Sequence, residues 1–259
     1  MDPSSVREPG NSDVSSRIAK IEPRPARRSR SKRTWLEGSR TARWWNTELI
    51  GWAALSVGAG VILAVAARTL VPGINGSLLA GVAVWIGMAV PVVIAMRRGV
   101  PRGLMRFKAV DLLYAVVLGG ALRVVQGWLE VAAGGTGALP SYGSLNSLWW
   151  LDASTAVIVS PALEELLFRG VVLVAVYRIA RRGFDGAVLA VVASTAAFVA
   201  MHVITSGLSG WDQPVALTIV GATLGTLVIL TGRLWPAILV HVVYNLSGVG
   251  LALIGTAFA

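Results

Sequence analysis

PALEELLFRG, residues Pro161–Gly170, sets two adjacent glutamates and an arginine inside an apolar run, and the reading of that run decides the fold. The sequence on either side reads as membrane-spanning helix, so the three ionisable groups lie where the solvent is lipid or protein. On insertion scales each costs about 2.5–3.5 kcal/mol at mid-bilayer, and a cost of that size needs a compensating arrangement. Helical residues four apart share a face, whereas sequence neighbours point about 100° apart. Glu165 and Arg169 therefore form an i,i+4 pair able to neutralise each other, and Glu164 falls on a different face without a local partner. A carboxylate held beside an ion pair, but not consumed by it, is suited to general-base work.

The composition agrees with a membrane setting. Of 259 residues 55% are hydrophobic and 14% charged, against about 25% charged in soluble domains. The chain is thus expected to be an integral membrane protein of the all-α class, a polytopic helix bundle. A net charge of +10 is one mark of nucleic-acid binders. Here the arginines flank apolar spans, which fits the cytoplasmic-side bias of membrane proteins, so the expected partner is the lipid bilayer and no nucleic acid. Cysteine is absent, which excludes disulfides, thiol nucleophiles and Cys-ligated metals. The Arg, Ala, Val and Gly bias fits a GC-rich bacterial genome, and a multi-pass protein of the bacterial plasma membrane is expected.

Residues 1–45 are polar, rich in Pro, Ser and Arg, with a basic cluster from Arg24 to Arg33. Without apolar periodicity this stretch is expected to be a disordered cytoplasmic arm that touches anionic lipid. KRTWLEG, at 32–38, faintly resembles a twin-arginine signal, but the following apolar stretch is too long for a cleaved h-region and reads as a retained span. Residues 46–259 form the transmembrane domain. Spans are expected at roughly 47–67, 76–96, 110–132, 154–177, 186–206, 214–231 and 234–257, each able to cross about 30 Å of hydrocarbon.

Sidedness follows from the connections. Arg97, Arg98, Arg102, Arg106 and Lys108 fill the second, Arg178, Arg181 and Arg182 the fourth, and Arg233 the sixth. Arg68 stands alone in the first, while Ala133–Asp152 and Ser206–Gln213 hold no Lys or Arg. Every alternate connection is basic, which predicts seven helices with the N-terminus inside and the C-terminus outside. Trp149 and Trp150, after the polar loop PSYGSLNSL, mark the outer interface. Gly221 and Gly225 form a small-xxx-small pair that permits close helix contact. Arg123, Gln126 and Glu130 share one face of the third span; they are either the polar wall of a substrate cavity or a network fixing the helix in the bundle, the second being the simpler reading.

The chain has two histidines, and both fall within expected spans. His202 follows Phe198 by one helical turn, and His241 precedes Asn245 by one turn. Glu164 and His202 could together polarise a water for attack on a carbonyl, with His241 and Asn245 as oxyanion donors. Glu164, His202 and His241 equally make a His2Glu metal set with an open position for water.

Glu164-Glu165-x-x-x-Arg169, Phe198-x-x-x-His202 and His241-x-x-x-Asn245, in this order on successive helices, resemble the CPBP family. It includes the CAAX-type prenyl endopeptidases and the Abi-type or bacteriocin-processing intramembrane proteases. The resemblance covers about 154–250. It implies that Glu164 and His202 activate the water, that Glu165 and Arg169 support the site, and that His241 and Asn245 stabilise the oxyanion or bind metal. It leaves open a metal-dependent enzyme, with Zn2+ on Glu164, His202 and His241, and a glutamate-dependent one without metal; no cofactor is certain. The lack of an HExxH helix favours the second.

The function expected is therefore an intramembrane endopeptidase acting on a membrane-associated protein or peptide. The alternatives are a non-catalytic peptide-binding or immunity protein and a transporter with buried Glu and His. Neither the substrate nor the oligomeric state follows from the sequence. One geometric count strains the site. At about 1.5 Å per residue from the inner boundary, Glu164 and His202 come out roughly 20–24 Å deep, but His241 about 10 Å and Asn245 about 16 Å.

Overall fold

The computed structural model of the protein describes residues 34–38, 44–145 and 147–258. Among them the regular elements are helices: α1 (Thr47–Leu70), α2 (Ile74–Arg97), α3 (Val110–Ala132), α4 (149–179), α5 (Gly183–Ser206), α6 (Asp212–Thr231) and α7 (Trp235–Phe258). All but α4 are long and apolar enough to cross a membrane, and large apolar side chains such as Ile62, Val116, Val124 and Leu230 face outward. In water such a surface would aggregate; against lipid it is the stable one. The chain is a polytopic bundle of membrane helices.

Helix α4 is the interrupted one. It is a run of short α-helical pieces separated by π turns at Thr155–Val159 and Leu166–Val172, and SPALEE, which carries Glu164 and Glu165, lies between them. In the first π turn Ser160 N–H bonds back five residues to the Thr155 carbonyl. The next carbonyl in that register, Ala156, would be served by Pro161, which has no N–H to give. A carbonyl without a donor is costly in lipid. The side-chain amide of Asn245, on α7, donates to it at 2.8 Å. Helix α2 meets the same difficulty. Pro91 stands inside it and frees the carbonyl of Gly87 four residues back, and the Ser56 hydroxyl of α1 donates there at 2.8 Å.

The basic connections meet at one end of the bundle. The Trp45 indole donates to Gly99 O, Arg178 to Trp45 O and Leu234 N–H to Leu104 O. Arg233 forms a buried pair with Asp111, so one of the cations that marks sidedness in the sequence is also structural. Gly232 closes α6 with φ 68°, a left-handed conformation that favours glycine, and its carbonyl accepts from the Trp35 indole at 2.9 Å.

Two sequence expectations meet structural detail at this end of the bundle. Most of the expected disordered arm, residues 1–33 and 39–43, lies outside the described residues. Its Trp35 and Trp45, however, are only 2% and 3% exposed, and Trp35 packs edge-on against Tyr177 of α4. An indole buries a large apolar area whatever the polarity of its neighbours in sequence, so the packed part of the chain starts before residue 46. The second concerns depth. The start of α7 is covered by protein: Leu234 is fully buried, its N–H donates to Leu104 O, and the Trp235 indole bonds to Met105 O. The 98–109 connection covers the start of α7, so the count from residue 234 began too close to the boundary.

Candidate active site

The six residues singled out by the sequence are drawn together from α4, α5 and α7. Glu165 and Arg169, one turn apart on α4, are both fully buried and pair at 2.9 Å. Arg169 also donates to the Gly221 carbonyl of α6 at 3.3 Å and lies over the Phe198 ring at 4.4 Å. The second partner of Glu165 comes from α7, where His241 Nδ1 lies 2.9 Å from the same Oε1 atom that Arg169 holds. A carboxylate in that position accepts from Nδ1–H, which leaves Nε2 as the free ring nitrogen.

That nitrogen faces Glu164. Glu164 Oε2 lies 3.9 Å from His241 Nε2 and 3.7 Å from His202 Nε2. Both separations exceed a direct hydrogen bond and suit groups that share a water. The His202 ring is fixed from its other side, with Nδ1 2.9 Å from the Phe198 carbonyl. A carbonyl only accepts, so Nδ1 carries the hydrogen and neutral His202 turns the Nε2 lone pair toward Glu164. Phe198, 1% exposed, underlies both imidazoles, with centroids 4.3 Å from His202 and 6.0 Å from His241. The exposures set the order of the layers: the Glu165, Arg169 and His241 side chains are 0%, 0% and 5% accessible, whereas His202 is 24%. His202 is the open edge of the site.

Asn245 lies one turn beyond His241, and its amide is aimed at the Ala156 carbonyl. An amide nitrogen carries a second N–H, so this bond does not exhaust it. Tyr244 was not singled out by the sequence. Its hydroxyl donates to Gln126 Oε1 and its ring lies under Arg123 at 4.3 Å. Arg123 also donates to Gln126 at 2.8 Å and to the Tyr244 carbonyl at 2.6 Å, and Gln126 to Glu130 at 2.8 Å. The polar face of α3 is thus a connected network; the cavities it borders are taken up below. The sequence signal for Tyr244 was its place between His241 and Asn245, which alone does not separate it from packing.

Glu164, His202 and His241 supply the donor types of a His2Glu zinc set. Among the described residues, however, no three His, Cys, Asp or Glu side chains are grouped so that they could hold a metal ion. No chemical step below passes through a metal.

A bundle of membrane helices with a carboxylate and two imidazoles converging in its core defines the class: a polytopic membrane protein with a cluster of ionisable side chains inside it. Residues 146–247, which carry that centre, match the family model described as Rce1-like, type II CAAX prenyl endopeptidase. The match supports membership of the CPBP family. The match supports a CAAX-type intramembrane protease, and so a hydrolase with a peptide or protein substrate. No curated protein and no solved structure matches the chain.

Proposed function

We propose that the chain is an intramembrane endopeptidase that hydrolyses a peptide bond of a membrane-associated protein or peptide, with the water activated by Glu164 and His202. The observation that carries this reading is the approach of Glu164 Oε2 to His202 Nε2 at 3.7 Å and His241 Nε2 at 3.9 Å within a membrane bundle. A water between them donates one hydrogen to Glu164 and the other to His202, which turns its oxygen toward a substrate carbonyl carbon. As the C–O bond forms, the carboxylate of Glu164 takes the water proton and the carbonyl electron pair moves onto oxygen. Collapse of the tetrahedral species breaks the C–N bond, and Glu164 returns the proton to the departing amine.

His241 has a separate part. With Nδ1–H committed to Glu165, it donates to an oxyanion from Nε2 only as the imidazolium. Glu165 stabilises that cation as the buried aspartate does in a serine-protease triad, and Arg169 holds Glu165 in place. The second N–H of Asn245 is the other candidate oxyanion donor.

The test is cleavage of a mixed peptide library by detergent-purified protein, comparing wild type with Glu164→Gln and His202→Asn, each with and without chelator. Each variant is expected to lose about 10²–10⁴-fold in rate, the usual share of general acid–base catalysis, while its circular dichroism stays that of the wild type. Cleavage unchanged in both variants would reject the site. Cleavage abolished by chelator and restored by Zn2+ would replace the metal-free route with a metal-dependent one.

A further inference from the structure

Two cavities on one side of the site adjoin each other. A cleft of about 690 Å3 runs between the end of α3, the 133–140 connection and the second half of α7. A smaller cavity of about 230 Å3 shares Gln126, Glu130, Ser209 and Asp212 with it and reaches His202 and Tyr244. Together they lead from the connections after α3 and α5 to His202, whose Nε2 lies 3.7 Å from Glu164. These connections lie at the end opposite Trp45, Gly99 and Gly232. The walls mix apolar groups with polar ones such as Arg123, Gln126, Glu130 and Asp212, so water and a peptide backbone find polar partners along the path.

Two other cavities stop short of the site residues. Toward the basic end the space between Trp45, Leu104, Leu166 and Leu234 is about 10 Å3, room for a single water at most. Below the carboxylates, Glu165, Arg169 and Phe198 are buried. An apolar groove of about 520 Å3 between α1, α4 and α5 is walled by residues such as Leu167, Phe168 and Met201, and none of Glu164, His202, His241 or Asn245 lines it.

We infer that the substrate is a polypeptide segment presented at the membrane face opposite the basic connections, and that it enters by the polar cleft to meet Glu164 from the His202 side. Under the positive-inside rule that face is the extracytoplasmic one. The segment is thus a translocated loop, tail or peptide rather than a cytoplasmic one. The network of Arg123, Gln126 and Tyr244 forms the wall along which it lies, and Gln126 and Glu130 are shared by both cavities. The inference rests on reading Glu164 as the reacting carboxylate.

The absence of cysteine from the chain gives a direct test. Single cysteines are introduced as Ser209→Cys at the cleft mouth, Gln213→Cys and Leu217→Cys beside His202, and Arg106→Cys at the basic end. Each is exposed to a membrane-impermeant thiol reagent in right-side-out and in inverted membrane vesicles. The expected result is labelling of Ser209→Cys, Gln213→Cys and Leu217→Cys in right-side-out vesicles, and of Arg106→Cys in inverted ones. Labelling of Leu217→Cys and Gln213→Cys only in inverted vesicles would overturn the inference. So would labelling of Ser209→Cys with neither of the inner positions reacting from either side, since the cleft would then stop short of the site. The same labelling repeated in Glu164→Gln keeps the two ideas apart, because access is read without cleavage and a failed catalytic assignment leaves the labelling pattern intact.

Discussion

Replacing Arg169 by methionine separates what the buried ion pair does for the fold from what it does for the chemistry. Arg169 and Glu165 have no exposed surface, and Nη1 lies 2.9 Å from Oε1. Arg169→Met keeps much of the side-chain volume but leaves Glu165 buried with His241 as its remaining polar neighbour. Removing one partner of a buried pair costs about 3–5 kcal/mol, because the other charge stays in low dielectric without compensation. The pair is also incompletely satisfied: Glu165 Oε2 and Arg169 Nε have no hydrogen-bond partner. Replacing both residues should therefore return most of the loss. In Glu165→Gln/Arg169→Met the amide oxygen still accepts from His241 Nδ1–H, and stability is expected within about 1–2 kcal/mol of wild type. Cleavage should not return, because a neutral glutamine no longer stabilises the His241 imidazolium, and a deficit of about 10²-fold should persist. Unfolding in an SDS titration gives the stabilities, and peptide cleavage gives the rates. A cost under about 1 kcal/mol for Arg169→Met would refute the buried-charge argument, and full cleavage by the folded double variant would refute the role given to Glu165.

The paired glycines of α6 should differ. A Cβ on Gly221 would stand 2.9 Å from Thr195 Cγ2 and 3.4 Å from Arg169 Nη2, so Gly221→Ala should cost about 1–3 kcal/mol and lower cleavage by displacing Arg169. At Gly225 the closest approaches are 3.4–3.5 Å to Val191 and Leu173, and Gly225→Ala should be neutral or up to about 1 kcal/mol stabilising; thermal melts in detergent check both. Asn245→Ala and Ser56→Ala each leave a helix carbonyl without its donor and should each cost about 1–3 kcal/mol, with the cleavage rate per folded molecule falling only for Asn245→Ala. Trp35→Ala removes a side chain 2% exposed and should cost about 3–5 kcal/mol, whereas trimming residues 1–33 should leave the melting temperature and cleavage unchanged.

The helices and the i,i+4 pairing of Glu165 with Arg169 were legible because each follows from apolar runs and a local period. What was not legible depends on partners remote in sequence. Trp35 sits in a polar stretch without periodicity, and its burial becomes visible only when Gly232, 197 residues away, is seen to accept its indole N–H. The apparent mismatch in depth between His241 and Glu164 came from counting outward from a surface that Leu104 and Leu234 had already covered. The role of Asn245 shows the same limit from the side of the site. Motif spacing places it one turn past His241 and points to an oxyanion donor, but the backbone makes a prior demand. Pro161, three residues before Glu164, frees a carbonyl that lipid cannot hydrate, and a donor from another helix must meet it. Pro91 makes the same demand of Ser56 far from any chemistry. A proline within a span therefore announces that a polar side chain will be spent on it. Only packing decides which one, and here the choice ties α7, with His241 on it, to the interrupted turn that presents Glu164.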